Sequence, residues 1–140
     1  MLLTGTHSRT LDEKKRMVLP KRLREQLGDQ DTLYVSPGPD QCLWLYTQSG
    51  LEQLAEKIEG SSATEARVFR RLYFAQTETV DVDRTGRILI PERLVQLGGL
   101  KRDVVLIGVR DHLELWDAVR WRQYLAENGP RFDAGGRDFS

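Results

Sequence analysis

The chain repeats itself at an offset of 71 residues. The run from Leu11 to Leu23 lies over Val82 to Leu94, with Asp, Arg, Pro, Arg and Leu identical and the apolar positions alike in type. The match resumes with Leu33-Tyr34-Val35 over Val104-Val105-Leu106. After a one-residue slip, Leu43-Trp44-Leu45-Tyr46 falls over Leu113-Glu114-Leu115-Trp116. A repeat constrains the fold more than any other feature, because each copy must be built alike and each is too small to bury a good core alone.

One copy reads as a β-turn-β-helix-β-β-helix unit. Arg16 to Leu19 alternates polar and apolar, which predicts a half-buried strand with Met17 and Leu19 on one face. Pro20 and Pro91 follow such strands, where proline suits a first helical position because its missing N–H is not needed there. Gly28, and Gly98 with Gly99, are expected to end these short helices in the left-handed conformation. Thr32 to Ser36 and Cys42 to Tyr46 predict a hairpin around Pro37-Gly38-Pro39-Asp40, and Val104 to Gly108 with Leu113 to Trp116 predict another around Arg110-Asp111.

Between the copies, Ser49-Gly50-Leu51-Glu52 and Ser62-Ala63-Thr64-Glu65 fit capping-box spacing. They predict helices over Leu51 to Glu59 and Glu65 to Phe74, whose exposed Arg67, Arg70 and Arg71 read as a solvated or interprotomer face. The expected division is a first repeat over 1–48, a helical connector over 49–75, and a second repeat with terminal helix (Ala118 to Glu127) over 76–127. The glycine-rich, aliphatic-poor residues 128–140 are expected to be a disordered tail.

Composition removes several chemistries. Cys42 is the only cysteine and His7 and His112 the only histidines, so an intrachain disulfide and a multi-thiolate zinc site are excluded. No motif asks for a cofactor or a nucleotide-phosphate cradle. No apolar run approaches the roughly 20 residues of a membrane span, and the N-terminus lacks a signal-peptide core, which predicts a cytoplasmic protein. His7, Ser8 and Asp12 have the residue types of a hydrolase triad, but no nucleophile-elbow pattern surrounds the serine. Trp44, Trp116 and Trp121 occupy apolar positions that suit packing better than base stacking.

The Asp-x-x-x-Arg followed by a short apolar strand and Pro-x-Arg resembles the swapped-hairpin DNA-binding fold of AbrB. Two copies, with Gly5-Thr6 near the start and Leu113-Glu114-Leu115-Trp116-Asp117 near the end, resemble the MraZ family of bacterial transcriptional regulators over residues 2 to about 127. The resemblance implies an α+β fold of two tandem β-α-β repeats, barrel-like and packed as a pseudo-dimer with connecting helices. It further implies a nucleoid-associated homo-oligomer in a closed ring. Its partner would be double-stranded promoter DNA carrying tandem G-containing boxes. By that route it would repress or modulate its own operon of cell-division and cell-wall genes, without being an enzyme.

Carried over residue by residue, the motif falls on Asp12 and Arg16, then on Asp83 and Arg87. Arginine can contact guanine N7 and O6 bidentately, and a two-stranded β element can enter the major groove. The expected DNA surface is therefore Arg16 and Arg87 with Lys14, Lys15 and Arg84, extended to Arg9, Arg22 and Arg93. Asp12 and Asp83 are expected to hold the turns, since a carboxylate cannot favourably face phosphate; a purely structural Asp–Arg bond is the competing reading. Arg24 reads as solvated helix surface. The family usually carries glycine where this chain has Lys15, so that turn is either strained or free of a positive φ.

Net charge is zero, with 21 basic and 21 acidic side chains, which argues against nucleic acid only as a total. Residues 1–28 hold seven basic groups against Asp12, Glu13 and Glu25, a net of +4, and the remainder carries the opposite excess. A modest patch predicts binding that depends on assembly and repeated sites. The alternatives are a non-enzymatic oligomeric interaction module, or an antitoxin-like protein of the same fold.

Overall fold

A computed structural model describes residues 1–60 and 63–139. Its elements are β1 (Thr6–Thr10), β2 (Arg16–Val18), α1 (Lys21–Leu27), β3 (Thr32–Gly38), β4 (Cys42–Tyr46), α2 (Gln48–Glu59) and α3 (Ala63–Gln76). The second half follows as β5 (Glu78–Asp81), β6 (Arg87–Leu89), α4 (Glu92–Leu97), β7 (Asp103–Gly108), β8 (Leu113–Asp117) and α5 (Ala118–Phe139). The two halves share a six-stranded antiparallel sheet ordered β1-β7-β8-β4-β3-β5, while β2 and β6 form a separate ribbon. The first strand of each half leaves its own half: β1 pairs with β7, and β5 with β3. The sheet is open, with β1 and β5 as its edges, so the expected closed barrel is not formed: each exchanged strand gains one partner and has no second.

Alternation along the strands explains where the core lies. Leu33, Val35, Leu43, Leu45, Val104, Leu106, Leu113 and Leu115 all face one side. There they meet Met17 and Ile88 of the ribbon, Leu23 and Leu27 of α1, and Leu94 and Val95 of α4. The opposite side carries a smaller cluster of Cys42, Val105, Ile107 and Trp116, covered by Trp121 and Tyr124 of α5. Trp116 meets Trp121 edge-on at 5.1 Å, so these tryptophans pack the fold. Cys42 is buried, and burial raises its thiol pKa, so the sulfur behaves as a small apolar group.

Several local expectations are corrected. Pro20 and Pro91 (φ −57° and −56°) cap α1 and α4 from one residue before the first helical position. Gly28 and Gly99 take positive φ (+80° and +60°), whereas Gly98 stays right-handed at −79°. α2 is capped by the Thr47 hydroxyl, which accepts from Gly50 N at 3.1 Å, in place of Ser49; a Thr at the end of β4 is already extended, as a cap must be. Ser62, the other expected cap, lies outside the described residues. The expected disordered tail is instead the continuation of α5 through Pro130 to Phe139. Helical hydrogen bonds are local and need no core, and Asn128 Nδ2 adds a bond to the Tyr124 carbonyl at 2.9 Å beside the proline.

His112, buried in the β7–β8 hairpin, lies between two carboxylates: Nδ1 is 2.8 Å from Asp111 Oδ1 and Nε2 is 3.0 Å from Glu114 Oε2. Both partners are acceptors, which selects the doubly protonated ring. Burial opposes that charge, but the bonds to Glu114 and Asp111 override it and raise the pKa.

Candidate nucleic-acid interface

The two Asp-to-Arg turns are built alike. In the first, Asp12 Oδ1 accepts from the backbone N–H groups of Lys14 and Arg16, both at 2.9 Å, and Oδ2 accepts from Arg16 Nε at 2.9 Å. In the second, Asp83 Oδ1 accepts from Thr85 N, Thr85 Oγ1 and Arg87 N, and Oδ2 from Arg87 Nε at 2.9 Å. The backbone bonds to Arg16 and Arg87 are the leading reason each carboxyl's pKa lies below the ordinary aspartate value. The aspartates therefore form the turns and fix the arginines at the same time.

Only the Nε edge of each guanidinium is used this way. The terminal nitrogens of Arg16 and Arg87 donate to no acceptor among the described residues, and the two side chains are 33% and 39% exposed. The competing readings of the Asp–Arg pair are thus compatible: one edge holds the hairpin and the other is presented to solvent. The ribbon register sets Arg16 opposite Leu89 and Arg87 opposite Val18, so the two arginines are diagonal neighbours. Met17 and Ile88 point into the core, leaving Arg16, Val18, Arg87 and Leu89 as the outward face.

The residue before each arginine takes positive φ, +63° at Lys15 and +83° at Gly86. The local turn asks for it: Lys15 N donates to Asp12 O at 2.9 Å and Asp12 N to Arg16 O at 3.0 Å, and Gly86 N to Asp83 O and Asp83 N to Arg87 O, both at 3.0 Å, repeat the pattern. Bonds between the halves add to it, Ile90 N to Lys15 O at 2.9 Å and Leu19 N to Gly86 O at 2.8 Å, and Lys15 holds a left-handed conformation that costs a non-glycine residue free energy.

Other predicted residues are distributed differently. Lys14 and Arg84 are exposed in the turns. Arg9 spends its guanidinium on backbone carbonyls, Nε to Val18 O at 3.1 Å and Nη1 to Ser8 O at 2.8 Å, and so ties β1 to the ribbon. Arg93 bonds Gln76 O and Glu78 Oε2, which anchors α4 to β5. Arg22, its counterpart, is exposed; with burial and Arg9 it lowers the pKa of His7, which occupies the position equivalent to Glu78. The hydrolase grouping is not assembled. Asp12 serves Lys14 and Arg16, and the buried His7 Nε2 has no hydrogen-bond partner among the described residues.

Comparison with known proteins agrees with this doubled construction. The family model for MraZ protein matches residues 2–72 and again 73–139. A relative from Thermomicrobium roseum named transcriptional regulator MraZ is 37% identical over 134 residues, covering 92% of this chain and 93% of that one. Proteins of the same name from Finegoldia magna and Moorella thermoacetica are 34% and 33% identical, covering 88% and 95% of this chain and 86% and 93% of theirs. Two copies of one turn, interlocked through a shared ribbon and matched twice along their length, place the chain in the MraZ family.

Proposed function

We propose that the protein is a sequence-specific DNA-binding transcription regulator whose interface is the outward face of the β2–β6 ribbon. The observation that carries this reading is the pair of guanidinium groups held by Nε, with their terminal nitrogens directed to no protein acceptor among the described residues. Diagonal neighbours on a ribbon are about 7–8 Å apart, a span of about two base-pair steps in one major groove. A guanine contact by each arginine, with phosphate contacts from Lys14, Lys15 and Arg84, fits that geometry. The family relation favours DNA upstream of the protein's own operon as the target, with tandem short G-containing boxes.

A patch of this size calls for avidity, and assembly into a closed homo-oligomeric ring would provide it. The exposed Val68, Phe69 and Leu72 of α3 and Leu125, Phe132 and Phe139 of α5 supply apolar surface for such contacts. A mobility-shift titration against the upstream region at several salt concentrations tests the reading. Arg16→Ala and Arg87→Ala should each weaken specific binding by about 5- to 150-fold, since a bidentate base contact discriminates by about 1–3 kcal/mol. Unchanged binding by both folded variants would favour the interaction-module alternative, and a strict monomer in light scattering would remove the avidity mechanism.

A further inference from the structure

Gly86 is buried although it lies in an exposed turn, and what covers it is Arg24 of α1, from the other half of the chain. A Cβ at residue 86 would lie 2.6 Å from Arg24 Nη1, 2.7 Å from Cζ and 2.9 Å from Cδ. The guanidinium therefore fills the space where a side chain at residue 86 would start. Arg24 is half-buried and donates its side chain to no hydrogen bond or ion pair among the described residues. That is so although Glu25, Asp29, Asp31 and Asp83 line the same 540 Å³ cleft.

The first turn reaches a similar charge pattern by another route. Its own residue at that position is the cation Lys15, and the helix position equivalent to Arg24 is Val95, buried in the core. Each turn thus has a cation at the position that precedes its arginine: Lys15 as that residue itself in the first turn, and Arg24, reaching over Gly86 from the other half, in the second. A half-exposed guanidinium that pairs with none of these carboxylates, held against the backbone of a turn on the proposed DNA face, is suited to an anion supplied from outside.

We propose that Arg24 is a phosphate-contacting residue of the second turn, supplied in trans by the first half to stand where Lys15 stands in the first turn. This rests on the ribbon as the DNA interface. The test titrates full-length protein against its upstream DNA over a salt series, comparing Arg24→Gln and Arg24→Lys with Arg16→Ala and Arg87→Ala. Arg24→Gln keeps the stem over Gly86 but removes the charge. Its plot of log affinity against log salt should be shallower by about 0.9 per engaged protomer, the release expected for one phosphate contact. Arg24→Lys should keep the wild-type slope. A wild-type slope for Arg24→Gln, or a neutral-variant slope for Arg24→Lys, overturns the role of Arg24. If Arg87→Ala meanwhile loses specific binding, the ribbon interface stands without Arg24. If Arg16→Ala and Arg87→Ala both bind like the wild type, the interface and the proposal fall together.

Discussion

In the first turn Lys15 holds φ at +63°, and in the second Gly86 holds +83°, with the same carboxylate bonds to backbone N–H and arginine Nε around both. The backbone of the two is one solution reached with different residues. What differs is the neighbour: the Arg24 guanidinium lies over Gly86 and would have to shift to admit a side chain. Glycine in the second turn is favoured by φ and lets Arg24 lie against the backbone. The first turn accepts a lysine at some cost in conformation and gains a cation beside its arginine. The repeated motif keeps its carboxylate bonds to backbone and arginine Nε and lets its charge placement vary.

Substitutions at these two positions should therefore act with opposite sign. The larger effect is expected from Gly86→Ala, which puts a Cβ into a left-handed conformation and makes Arg24 shift, and should destabilise by about 1–2 kcal/mol. A melting temperature unchanged by Gly86→Ala would show that neither the left-handed conformation nor the shift of Arg24 costs stability. Lys15→Gly relieves the same conformational strain but makes the unfolded chain freer, so a net gain of about 0.5–1 kcal/mol should remain in chemical denaturation. A loss of stability there would mean that the lysine stem packs more favourably than its φ suggests.

The smallest effect separates the turns by acid. Asp83 accepts a Thr85 hydroxyl bond for which Lys14 offers no equivalent, so its carboxyl should titrate below that of Asp12 when the two are followed by carbon NMR. Both folded pKa values lie below the unfolded one. Their contribution is present above the unfolded value near pH 3.8 and is lost as pH falls through the folded values, first in the first turn. Thr85→Ala should bring the two midpoints together, and an unmoved Asp83 midpoint would discount the hydroxyl.

Much of this construction was legible from residues alone. The repeat, the two hairpins, the short helices after Pro20 and Pro91, and the Asp12–Arg16 and Asp83–Arg87 turns rest on alternation and turn chemistry. Both arise within a few residues. Other features were out of reach because they depend on neighbours distant in the chain. Arg9 and Arg93 are read from sequence as part of the DNA surface; what the sequence does not show is that their guanidinium groups bond Val18 O, Gln76 O and Glu78, groups that folding brings near. Residues 128–140 read as a disordered tail, but α5 continues through Pro130 to Phe139. Arg24, an ordinary helix-surface arginine in sequence, lies over the turn of the other half.

The sequence by itself determined that two like units exist, that each carries an Asp–Arg turn on a short strand, and that a single cysteine leaves no intrachain disulfide or multi-thiolate zinc site. It did so because periodicity, turn residues and residue counts are local or additive properties. Only the tertiary structure decided which half each first strand joins, that the Lys15 carbonyl bonds Ile90, and which arginines keep a face toward solvent. The strand pairings join segments roughly 50 to 100 residues apart, and they exist only once the core has brought both halves together.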